Sequence, residues 1–143
     1  MRTILIVANQ TLPGEPLARE VADRIVAGAT EFFVVVPVTP APGGGLTWDE
    51  DEARRSAEQR LAAFVERLRA QGVNGTGEIG DRDPVQAVRD VALGLEVEEV
   101  ILSTLPAGRS RWLRQDIPSR LRDAVDVPVA VVVERETTAA ATR

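Results

Sequence analysis

Cysteine, histidine, lysine and tyrosine are all missing from this 143-residue chain. Without cysteine there is no disulfide, no thiolate nucleophile and no metal site built on sulfur. Without histidine the usual general base and the commonest metal ligand are gone. All 17 basic residues are arginine, so a Schiff base and the phosphate-binding lysine of a P-loop are excluded too. Carboxylates remain for proton chemistry, and arginines, hydroxyls and backbone amides for holding an anion. Most familiar active sites cannot be assembled from this set, and the chain is expected not to be an enzyme. With only two Trp and three Phe, a flavin would lack the aromatic rings on which it normally stacks. The lysine of a response-regulator receiver is absent as well.

Long apolar runs are also absent. None approaches the roughly 20 residues of a membrane span, so no membrane partner is expected. The chain runs from Met1 straight into a strand-like segment with no pattern of a secretory signal, which makes the cytoplasm the expected location. The net charge of −5 argues against a nucleic-acid partner, because phosphate contacts need a positive face. The charge is uneven: Arg109, Arg111, Arg114, Arg120 and Arg122 stand against the single acid Asp116, whereas Asp49-Glu50-Asp51-Glu52 is wholly acidic.

What is present reads as an α/β protein. Five apolar runs of strand length occur, at residues 4–8, 32–36, about 73–80, 100–102 and 129–133, the third the weakest. Continuous β-branched runs without polar alternation indicate parallel strands buried on both faces. Helical spacing fills the gaps: Leu17, Val21 and Ile25; then Ala57, Leu61, Phe64 and Leu68; then Val88, Val91 and Leu95. Thr47 with Glu50 three residues on is a capping-box pattern, and the acids after Thr47 suit the positive end of a helix dipole. Asp83-Pro84 is an N-cap followed by proline at the first helical position. The last helical stretch divides into a short turn at Trp112 and Leu113 and a second piece, capped by Asp116, that carries Leu121 and Val125. This alternation predicts a three-layer α/β/α sandwich with right-handed crossovers, one domain over residues 1–136 and a disordered tail over 137–143.

In an open sheet of this kind, ligands bind beyond the carboxyl ends of the strands where the strand order reverses. For the order 3-2-1-4-5 the bordering loops are Asn9-Gln10-Thr11 and the segment from Ser103 and Thr104 to Gly108, Arg109, Ser110, Arg111 and Trp112. Amides and guanidinium groups there could hold a small molecule or an anion. The same residues also have structural readings: Asn and Thr as helix caps, Ser103 and Thr104 closing a strand, the arginines as a solvated face, Trp112 as a packing anchor. Asp83 reads as a cap, and Asp81 has no assigned part.

As an ordered set these segments resemble the universal stress protein family. Residues 4–8 stand where that family has its first strand. Ile79-Gly80-Asp81 followed by Pro84-Val85-Gln86-Ala87-Val88 is similar to its third strand and helix entry. Glu98-Glu99-Val100-Ile101-Leu102-Ser103 resembles its fourth strand, and Asp126-Val127-Pro128-Val129-Ala130-Val131-Val132 its closing strand. The likeness runs over residues 2–134 and implies an adenine nucleotide alpha hydrolase-like sheet of order 3-2-1-4-5. ATP-binding members carry an Asp after strand one and the pattern Gly-x2-Gly-x9-Gly-Ser/Thr after strand four. Here the first place reads Ala8-Asn9-Gln10-Thr11, and Gly108 is the only glycine after Gly94. Gln115 and Asp116 fall near where the last Gly and Ser would stand. The resemblance therefore implies a stress-related, non-catalytic domain with no cofactor and no standard ATP site. The alternative is ATP, AMP or another anion held by Asn9, Gln10, Thr11, Ser103, Thr104, Gly108, Arg109, Ser110 and Arg111. Members commonly pair through the fifth strand, which implies a homodimer built on Val129, Ala130, Val131, Val132 and Val133. An apolar edge strand is usually covered, and Pro128 at its start is no obstacle.

Overall fold

The computed structural model describes residues 2–8, 11–12, 14–38, 47–106 and 110–134. The tail expected to be disordered lies outside them, and so do the side chains of residues 47–51, on which the capping-box expectation rests.

The apolar runs become strands because helices cover both sides of each. In chain order the elements are β1 (Arg2–Val7), α1 (Glu15–Val26), β2 (Ala29–Pro37), α2 (Thr47–Ala70), β3 (Asn74–Gly80), α3 (Pro84–Ala92), β4 (Glu99–Thr104), α4 (Arg111–Arg114), α5 (Ile117–Ala124) and β5 (Val129–Val133). Every pairing is parallel, and the sheet order is β3-β2-β1-β4-β5, as the sequence predicts. Alternate strand residues feed two cores. Ile4, Ile6, Phe32, Val34, Val36, Ile101 and Val132 pack with Leu17 and Val21 of α1 and with Ala57, Leu61, Phe64 and Leu68 of α2. Leu5, Val7, Val35, Val100 and Leu102 pack with Val85, Val88 and Val91 of α3 and with Ile117 and Leu121 of α5. Each such side chain contributes about 1.5–3 kcal/mol by leaving water, and so uninterrupted apolar strands are the stable solution.

Local chemistry sets the helix ends. Asp83 caps α3, its carboxylate accepting from the Val85 amide at 3.0 Å, and Pro84 occupies the first turn. Asp81 accepts from the Asp83 amide at 2.9 Å, which orients that cap. The expectation for Asp116 is corrected. It stands at the N-terminal boundary of α5, but its backbone is left-handed (φ 56°) and its side chain makes no capping hydrogen bond. Among the described residues it is the one non-glycine with positive φ. Such a backbone turns the chain sharply between α4 and α5, and a carboxylate thrown to that side does not reach the helix amides.

At the amino end of the sheet, Arg24 of α1 grips Glu99 of β4 with one guanidinium edge, Nε and Nη2, at 2.9 and 2.7 Å, and its Nη1 donates to Glu20 at 2.6 Å. The Glu99 hydrogen bonds raise the Arg24 pKa above its ordinary value, against the lowering that burial alone would cause. This clamp fixes α1 across the first strand crossover, far from the carboxyl edge. No helix among the described residues is long and apolar enough to cross a membrane.

Candidate functional site

The strand order reverses between β1 and β4, so the chain leaves the carboxyl ends of these neighbours in opposite directions. Of the residues expected here, Thr11, Ser103, Thr104 and Ser110 are described. Asn9, Gln10, Gly108 and Arg109 lie outside the described residues, as does the side chain of Arg111, whose backbone opens α4.

Thr11 and Ser103 are both buried and meet across the gap. The Ser103 hydroxyl donates to the Thr11 hydroxyl oxygen at 2.7 Å, and the Thr11 hydroxyl donates to the Ser103 carbonyl at 3.4 Å. The two hydroxyls therefore satisfy each other, as buried polar groups must where water cannot enter. The Thr104 hydroxyl donates to the Leu105 carbonyl at 2.6 Å. Ser110 is buried, and its hydroxyl accepts from the Leu113 amide at 3.0 Å, which makes it the cap of α4. Each described hydroxyl expected to contact a ligand has a structural partner.

A further group comes into this crevice from the end of β5. The Glu134 amide donates to the Thr104 carbonyl at 2.8 Å, and the Glu134 side chain lies against Gly14, the residue that opens α1. A Cβ on Gly14 would collide with a Glu134 carboxylate oxygen and come within 2.7 Å of the Thr11 carbonyl oxygen. Gly14 offers α1 no side-chain acceptor, so the nearby carboxylate supplies the negative charge that the first turn of a helix favours. Sequence reasoning missed this pair. Neither residue carries a motif: Gly14 stands in Pro13-Gly14-Glu15-Pro16, and Glu134 follows the apolar run 129–133.

The basic segment is partly accounted for. Arg120 reaches Asp83 of α3 at 3.4 Å, and Arg122 donates to the Val129 carbonyl at 3.3 Å. Among the described residues no group of three acidic side chains stands together to hold a metal. Chemically, the described part of the crevice offers paired hydroxyls and one carboxylate, without a nucleophile coupled to a base.

Comparison with solved structures agrees with the topology. A universal stress protein from Archaeoglobus fulgidus superposes with a TM-score of 0.63 at 16 % identity, covering 92 % of this chain and 98 % of that one. The universal stress protein from the same organism in complex with dAMP gives 0.61 at 18 % identity, again covering 92 % and 98 %. A universal stress protein family protein from Arabidopsis thaliana with AMP bound gives 0.54 at 11 % identity, covering 100 % and 96 %. At these identities the likeness establishes the fold, which this chain shares over nearly its whole length. No family model matches the chain, and no curated protein sequence does.

Proposed function

We propose that the chain is a non-catalytic, cytoplasmic stress-response domain of the universal stress protein type that acts as a homodimer and does not use the standard ATP site. The observation that carries this reading is the state of the crevice. Thr11 and Ser103 spend their hydroxyls on each other, and the Glu134 carboxylate stands at the start of α1. A phosphate brought there would meet a like charge and displace a satisfied hydrogen bond, each a cost with no compensating lysine or glycine cradle. The departures in sequence point the same way: no acid follows β1, and Asp116 stands near the place of a phosphate-binding glycine.

The second reading is a nucleotide or anion binder, favoured by the dAMP and AMP carried by two of the structural neighbours. The two readings separate in a thermal-shift titration with millimolar ATP, ADP, AMP and phosphate, with and without magnesium. Ligand at about 100 times its dissociation constant adds about 2.7 kcal/mol, a shift of several degrees for a domain this size. No shift is the expected result. A nucleotide-specific shift that is lost in Arg109→Ala or Ser110→Ala would make the second reading the correct one.

The homodimer rests on β5. It closes one edge of the sheet, and its residues are apolar throughout. Val132 is buried within the core on the α1 side, so the edge itself is formed by the backbone with Val133, which is 44 % exposed. Pro128 and Glu134 direct backbone groups at β4, so in a period of two the amides and carbonyls of Val129, Val131 and Val133 turn outward. Val133→Pro removes one outward amide without touching the β4 ladder. Sedimentation equilibrium is expected to find a wild-type dimer and a folded Val133→Pro monomer; a Val133→Pro dimer of unchanged affinity would place the interface elsewhere.

A further inference from the structure

An outward carbonyl on an edge strand is ordinarily free to accept from water or from another strand. On β5 one of the three is taken. Arg122, in the last turn of α5, reaches from the helix layer to the sheet and donates to the carbonyl of Val129 at 3.3 Å. The neighbouring arginine of the helix, Arg120, turns instead to Asp83 of α3. The two cations of one helix therefore have different tasks, one linking helices and one standing on the sheet edge.

We propose that Arg122 guards the β5 edge and limits its pairing with a second copy of this chain. The inference rests on the β5 homodimer proposed above and adds what regulates it. Two copies of β5 related by a two-fold axis at Val131 would set Val129 of each opposite Val133 of the other. In that antiparallel ladder the amide at position 133 of one copy donates to the carbonyl at position 129 of the other. The Arg122 guanidinium already lies on that carbonyl, so full pairing competes with it for the oxygen, and pairing that stops at Val131 does not. The strand carries no charged residue of its own, and a guanidinium at one end of an otherwise apolar edge is the kind of device that keeps strands from adding without limit.

The experiment is sedimentation equilibrium on the full chain, comparing wild type with Arg122→Ala, Arg120→Ala and Val133→Pro. Arg122→Ala is expected to tighten self-association about three- to tenfold, the size of one net hydrogen bond over the whole ladder. The substitution makes an already negative chain more negative, which by itself weakens association, so tightening cannot come from net charge. Arg120→Ala changes charge equally without freeing the edge and is expected to associate no more tightly than wild type. The proposal is overturned if Arg122→Ala associates no more tightly than wild type, or if Arg120→Ala tightens as much. If Val133→Pro still dissociates the dimer in that case, the β5 interface stands and only the guard fails. If Val133→Pro leaves the dimer intact, the interface reading fails and takes the guard with it.

Discussion

Replacing Thr11 by Val keeps the shape of the side chain and removes its hydroxyl. The Ser103 hydroxyl then loses the acceptor it holds at 2.7 Å, and the Ser103 carbonyl loses its donor at 3.4 Å. Both residues are only 2 % exposed, so water does not step in. An orphaned buried hydroxyl costs about 1–2 kcal/mol. Ser103→Ala is milder, about 1 kcal/mol, because the Thr11 hydroxyl keeps its bond to the Ser103 carbonyl. In the double variant no hydroxyl is left unpaired, and the loss is expected at about 1–1.5 kcal/mol, less than the sum of the single losses. The coupling of about 1 kcal/mol is the quantity to measure, by urea unfolding followed by circular dichroism, with an unchanged slope in denaturant. Strictly additive losses, or single variants as stable as wild type, would refute the pairing. The hydroxyls would then be free to serve a ligand, and the nucleotide reading would gain what the structural one loses.

Gly77→Ala is expected to destabilise by about 1–3 kcal/mol, because its Cβ would lie 2.5 Å from the Val34 carbonyl oxygen and 2.7 Å from a Leu61 methyl. Gly94→Ala meets nothing within 4 Å, so the same unfolding assay should find it neutral or slightly stabilising. Arg24→Met leaves Glu99 without its bidentate partner and should cost about 2–3 kcal/mol, somewhat below the range for a fully buried pair. A cation whose pKa is raised on folding stabilises at every pH below its unfolded value and loses that stabilisation only as pH rises through the folded one. The difference between wild type and Arg24→Met should therefore be constant from about pH 6 to about pH 10 when unfolding is repeated across that window. At Asp116, Gly should be more stable than Ala by about 1 kcal/mol, since only glycine enters the left-handed region freely. At a right-handed helical residue the order is reversed, so the sign of the difference in melting temperature is the test.

The strands were legible because burial on two faces removes the polar alternation that would otherwise blur a strand with a helix. Residues 4–8 and 129–133 needed no help from context. β3 was the weakest signal for a physical reason. It lies at a sheet edge, and the small size of Gly77 lets Leu61 of α2 come close, so the strand is written in glycines instead of apolar residues. The α3 cap was legible from Asp83-Pro84, where side chain and amide are two residues apart. The Asp116 cap was not, because the residue type is right for a cap and only the backbone angle decides whether the carboxylate points at the amides.

The crevice was legible as a place and illegible as a state. Strand order alone locates it, but Thr11 and Ser103 are 92 residues apart, and a hydroxyl offered to a ligand looks the same in sequence as a hydroxyl given to a neighbour. Glu134 acts on a residue with no side chain, so no pattern of types records the contact. What separates the two candidate uses of this fold is where hydrogen-bonding capacity is left unspent. At the carboxyl edge the described hydroxyls have found partners within the chain. Along β5 the outward groups of Val131 and Val133 receive no partner among the described residues, and Arg122 attends to Val129. Backbone groups that are unpaired toward the outside gain most from a second strand, and paired hydroxyls gain least from a ligand. That difference is what favours the proposed pairing of two copies over the alternative of a held nucleotide.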